Sequence, residues 1–172
     1  MLIQLDFMTV LSQWPLLATG VAWTLGLTAI ATVLGTLLGV ACAWARSQGP
    51  SALRWIAGSY VELIRNTPFI VQLFFIFFGL PAAGVKLSPL TASILAMVIN
   101  LGAYATEIIR AGIEATPRGQ IEAAQSLALG RLQIFTRVII PPALRKVWPA
   151  LVSQIIICLL YTSDAADDLL CV

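Results

Sequence analysis

Long stretches of this sequence carry no charge, and the few ionised residues fall between them. None occurs from residue 20 until Arg46, from 66 to 85, or from 87 to 106. Each run is close to the roughly 20 apolar residues that a helix needs to cross a hydrocarbon layer. In that layer the backbone must satisfy its own N–H and C=O groups, so such runs read as helices. The pattern predicts an all-α membrane protein with four spans. The first covers about 20–45. After a turn at 46–51, a partly apolar helix over 55–64 leads into a second span that ends near Leu80. The third covers 89–109, and the fourth begins near Val147. Trp14 and Pro15 suit the membrane interface, where amphipathic rings collect.

Composition agrees with this class. Of 172 residues, 59% are hydrophobic and 10% charged, against about 25% charged in a soluble domain. The length allows four or five spans. Without His, the usual neutral-pH proton shuttle and commonest metal ligand are missing. Cys42, Cys158 and Cys171 show no spacing that suggests a disulfide framework or a zinc site. No metal, cofactor or nucleic acid is expected. The N-terminal stretch 1–14 has no Lys or Arg and so lacks the basic start of a secretory signal. No Gly-rich phosphate loop is present, so the chain is not expected to be an ATPase or another enzyme.

The polar residues within the spans are the candidates for function. Gly35 and Gly39 form a G-xxx-G pair that permits close helix contact, within the chain in preference to between subunits. Glu62 and Arg65, three apart on a helix, can form an ion pair. Pro68 removes a backbone hydrogen bond and can kink the second span. Asn66, Thr67 and Gln72 surround it. A broken helix with amides nearby suits a polar solute; in the plainer reading, Asn66 satisfies the freed carbonyl. Asn100 and Tyr104 share a face of the third span and can line a pathway or hydrogen-bond between helices. Glu107 lies within reach of Arg110.

Residues 110–146 form the polar centre of the chain and hold six of its ten cations: Arg110, Arg118, Arg131, Arg137, Arg145 and Lys146. Arg46, Arg54 and Arg65 lie between the first two spans, and Lys86 stands alone on the other side. The positive-inside rule puts the two Arg-rich segments in the cytoplasm and the N-terminus outside. A short helix is predicted in this centre. Thr116 can cap it, Pro117 can take its first position, and Gly130 suits the left-handed residue that ends it. Glu122, Ala123 and Ala124 give it an acid beside two small side chains, which lets another surface approach. Glu122 can pair with a partner's cation or brace its own helix through Arg118.

This stretch resembles the EAA loop of permease subunits of bacterial ATP-binding-cassette (ABC) importers. That pattern has Glu-Ala-Ala, three residues, Gly, nine residues, then Ile-x-Leu-Pro. Glu122, Ala123, Ala124 and Pro141 match it, and Val138 and Ile140 are conservative replacements. Ala128 stands where the pattern has Gly, with Gly130 two residues later. Residues 24–28 (TLGLT), 60–68 (YVELIRNTP) and 102–113 (GAYATEIIRAGI) resemble the polar amino-acid branch of the same permeases.

The resemblance implies a permease subunit, multi-pass in the bacterial cytoplasmic membrane, that moves polar amino acids by alternating access. It implies ABC ATPase subunits, a second permease subunit (the same or a sister chain) and an extracytoplasmic amino-acid-binding protein. Gly119, Glu122, Ala123, Ala124, Gly130 and Pro141 are the expected contacts with the ATPase. The resemblance also implies a fifth span. Residues 1–157 are expected to be the transmembrane domain, lacking its last span, and residues 158–172, with three Asp, a tail foreign to the family. Rival readings are an ABC permease for another solute such as an osmolyte, a secondary transporter fragment, and a membrane scaffold. A secondary transporter favours mid-span carboxylates or His, and a scaffold leaves the polar residues around Pro68 unexplained.

Overall fold

The computed structural model describes residues 13–170, and their secondary structure is helical. Helix α1 spans Trp14–Gln48. After Gly49 and Pro50 comes α2, Ser51–Arg65. An arm follows, built from α3 (Phe69–Phe74), a π-helical turn (Phe75–Gly79) and the short α4 (Leu80–Ala82). Helix α5 spans Pro89–Glu114 and α6 spans Arg118–Ser126. The short α7 (Arg131–Gln133) runs through a second π-helical segment (Ile134–Ile139) into α8, Ile140–Leu170. Among the described residues, three helical stretches are long and apolar enough to cross a membrane; counting the bent α2–arm pair as one span makes four.

The spans agree with the uncharged runs, but their ends differ from expectation. Proline did not stop the fourth helix. Pro141 and Pro142 stand in the first residues of α8, directly after the π-helical segment. A widened turn there makes room for the proline rings. The helix that carries the fourth span therefore starts at Arg131, well before Val147. The kink expected at Pro68 is a sharp bend. The halves of the second span, Ser51–Arg65 and Phe69–Ala82, meet at 110°.

Helix α5 is the axis of the fold. Most of its buried positions are small, and a glycine of α1 meets the larger Leu101, so its neighbours come close. A side-chain carbon added at Gly39 of α1 would stand 2.6 Å from Ala105 Cβ, and one at Gly35 would stand 3.0 Å from the Leu101 side chain. The G-xxx-G pair thus packs within the chain. On the other side, Gly112 admits Val147 of α8, and Ala105, Val147 and Leu151 form a buried cluster with Ile108 and Ile109. The arm packs on the first half of α5 through Ile76, Ala92 and Ala96. Tyr60 ties α2 to α5 by donating to the Ile99 carbonyl at 2.6 Å. Trp23, Leu37, Phe75 and Trp148 face outward, as apolar side chains do in lipid. The segment expected to be foreign continues as helix to Leu170; Cys171 and Val172 lie outside the described residues.

Candidate functional site

Two places gather the candidate residues: a polar pocket beside the α2–arm bend, and the exposed α6 turn.

The bend frees carbonyls that α2 can no longer use. Gln72, buried on α3, takes two of them, donating through Nε2 to Ile64 O and Thr67 O, both at 2.8 Å. Its Oε1 accepts from Asn100 Nδ2 at 3.2 Å. Thr67 closes the edge by donating to Leu63 O at 2.8 Å. So Gln72, and not Asn66, satisfies the break. Gln72 and Asn100 are the hinge pin behind the pocket, and neither lines it.

The pocket has a volume of about 300 Å³ and is walled by Arg46, Glu62, Arg65, Asn66, Tyr104 and Glu107. Val61 completes it. The ion pair expected between Glu62 and Arg65 is absent among the described residues. Arg65 ends α2 and instead lays its guanidinium over the Tyr104 ring, 5.6 Å from the centroid, which the ring's negative face favours. Glu107 does bind Arg110, through both Nε and Nη2. It also accepts from Arg46 Nη1 at 2.7 Å, and Arg110 reaches on to Glu114. The chain of charges Arg46–Glu107–Arg110–Glu114 thus runs from the pocket to the end of α5. Arg46 was missed by sequence reasoning. Its only signal was being the first charge after a long apolar run.

At the second place, α6 follows the end of α5 and packs against the Ile134–Ile139 segment that leads into α8. Helix α6 begins one residue later than expected, with Pro117 as its cap; Thr116 lies outside it, its hydroxyl buried without a hydrogen-bond partner among the described residues. Lys146 of α8 donates to Ala115 O at 3.0 Å, closing the end of α5, where a cation suits the helix dipole. The far end is a Schellman turn. Leu129 N donates to Ala124 O at 3.2 Å and Ala128 N to Gln125 O at 2.9 Å. Its left-handed residue is Ala128, at φ 57°, and not Gly130. Gly130 has φ −67° and caps α7, its N–H bound by Gln133 Oε1 at 3.0 Å. The position where the EAA pattern has Gly is therefore the one whose backbone calls for it.

Gly119, Glu122 and Ala123 are exposed on α6, and Pro141 is exposed on α8. Ala124 is not available to a partner: only 4% of it is accessible, because α6 lies against the Ile134–Ile139 segment. Glu122 makes no ion pair with Arg118 among the described residues. Two residues missed by sequence reasoning stand beside it. Leu127 and Leu132 are each 75% exposed, unusual for leucine outside lipid, and they flank the Schellman turn. No group of three or more His, Cys, Asp or Glu able to hold a metal occurs among the described residues.

Residues 35–163 match the family described as binding-protein-dependent transport system inner membrane component. The L-cystine transport system permease protein TcyB of Bacillus subtilis (strain 168) is 40% identical over 159 residues, covering 92% of this chain and 68% of that protein. The arginine transport system permease protein ArtQ of the same organism is 33% identical, covering 88% of this chain and 70% of its own length. A crystal structure of an amino acid ABC transporter with histidines superposes with a TM-score of 0.86 at 37% identity, covering 95% of this chain and 77% of that one. With its apolar spans, its bent second element and the EAA stretch between its third and fourth spans, the chain belongs to the binding-protein-dependent transport system inner membrane components, a family of membrane permeases.

Proposed function

We propose that the chain is the permease subunit of an ABC importer that carries polar amino acids across the bacterial cytoplasmic membrane. Relatives named for L-cystine and arginine transport, and a structural neighbour named as an amino acid ABC transporter, support the substrate class. The observation that carries the mechanism is α6, a short helix that presents Gly119, Glu122 and Ala123 to solvent while it follows directly on α5 and packs against the Ile134–Ile139 segment that leads into α8. A push on α6 passes into α5 through Ala115 and into α8 through the Ile134–Ile139 segment. Two such chains, or this chain and a sister, form the pathway; ATPase subunits grip the two α6 helices, and an extracytoplasmic binding protein delivers solute.

Charge asymmetry supports the orientation. Nine cations lie from Arg46 to Arg65 and from Arg110 to Lys146, in the turns and helix ends on one side of the spans, against Lys86 alone on the other side. The N-terminus is then outside and α6 is in the cytoplasm. The test is copurification. The tagged chain, expressed with the ATPase and binding protein of its own operon, retains the ATPase. Glu122→Lys, which leaves an exposed site aqueous and the fold intact, weakens that retention by about 2–5 kcal/mol if the acid meets a cation in the interface. Equal retention by both forms overturns the role of α6.

A further inference from the structure

The charges of the polar pocket do not cancel locally. Glu107 is held from two sides, by Arg46 and Arg110, and Arg110 is held again by Glu114. That leaves two lining residues whose charge meets no opposite charge among the described residues: Glu62 and Arg65. They stand one turn apart on the same face of α2, with side-chain origins about 5–6 Å apart. Nothing in that spacing prevents a salt bridge between them. It is withheld because Arg65 lies over the Tyr104 ring. A carboxylate and a guanidinium kept apart on one face match the two ends of a small zwitterion, whose ammonium and carboxylate share one carbon. Asn66, on the same wall, adds an amide that can serve either end.

We propose that Glu62 and Arg65 read the ammonium and the carboxylate of an amino-acid head group, with Tyr104 as the positioning residue that keeps Arg65 off Glu62. The inference rests on the transport function proposed above and assigns the recognising residues. The pocket reads the head and leaves the solute's side chain to the open end. A solute lacking either charge leaves one of the two residues without its counter-charge, and binds more weakly.

The test is equilibrium binding of radiolabelled L-arginine and L-cystine to the permease–ATPase complex in lipid nanodiscs, without the binding protein, whose own pocket would mask the result. The analogues are the α-amide, which removes the carboxylate charge, and the Nα-acetyl derivative, which removes the ammonium. The wild type discriminates against each analogue by about tenfold or more, the range expected for one charge-assisted hydrogen bond. Arg65→Gln removes discrimination against the α-amide only, and Glu62→Gln removes discrimination against the Nα-acetyl form only. Arg65→Lys keeps the preference for the carboxylate, which separates lost charge from lost folding. Tyr104→Leu weakens binding of the free amino acid and leaves both preferences in place. If an amino acid binds and both ratios stay at wild type in Glu62→Gln and Arg65→Gln, this assignment is overturned and the transport function stands. If neither amino acid binds and neither is taken up by the complete importer, the transport function falls, and this assignment with it.

Discussion

Arg46 Nη1 donates to Glu107 Oε2 at 2.7 Å, joining the end of α1 to the second half of α5 across 61 positions of sequence. Both side chains are about one-fifth exposed, and Arg110 holds the other oxygen of the same carboxylate. The pair therefore lies between a surface ion pair and a buried one, and its loss costs about 1–2 kcal/mol. Arg46→Ala is expected to lower stability by that amount in denaturant unfolding of the purified chain, and Arg46→Lys to restore most of it. A profile for Arg46→Ala that overlays the wild type would show that α1 and α5 are held by packing alone.

Ala128 and Gly130 make a matched pair. Ala128 carries a positive φ that disfavours any Cβ, and Gly130 sits at an ordinary φ of −67°. Ala128→Gly is expected to stabilise the chain by about 0.5–1 kcal/mol, the gain from relieving the strain less the freedom glycine adds to the unfolded state. Gly130→Ala is expected to be near neutral, since an added Cβ meets only Gln133 Oε1 at 3.7 Å. The opposite order in unfolding experiments would place the left-handed residue at Gly130.

Gly39 tests the close approach of α1 to α5. Even an alanine there puts its Cβ 2.6 Å from Ala105 Cβ and 3.1 Å from the Thr106 nitrogen. Gly39→Ala should destabilise by about 1–3 kcal/mol, the usual cost of overpacking. Gly20→Ala on the same helix meets nothing within 4 Å and serves as the control. Equal effects of the two substitutions would remove the small-residue seam from the account.

The orientation has its own readout. In a chain freed of its native cysteines, Ala83→Cys, on the exposed turn after the arm, is expected to react with a membrane-impermeant thiol reagent added outside intact cells. Gln133→Cys, beside α6, is expected to react only after the membrane is opened. Reversed labelling would put α6 outside and end the coupling proposal.

These tests divide along what the sequence made visible. Spans were legible because charge is so costly in hydrocarbon that its absence marks them. Their ends were not. The helix that carries the fourth span begins well before the span itself, and runs from the π-helical segment through Pro141 and Pro142. Gln72 is legible in the sequence as a polar residue near the bend, but its partner Asn100 is 28 positions away. Spacing along one helix cannot reveal a bond between two. For the same reason Glu62 and Arg65 were expected to pair: helical spacing brought them within reach, and the competing Tyr104 ring came from another helix. At α6 the motif identified the helix but not its buried face, so Ala124, read as a contact for a partner, is a packing residue.

The central claim is ATP-driven uptake of polar amino acids through this chain. Its most direct measurement uses vesicles that contain the chain with the ATPase and binding protein of its own operon. Uptake of radiolabelled L-arginine and L-cystine is followed with ATP inside and outside the vesicles in separate runs. The account predicts accumulation of at least one of them only when ATP is on the side that α6 faces, and its loss in Glu122→Lys. Accumulation driven by an ion gradient without ATP, or undiminished in Glu122→Lys, would contradict it.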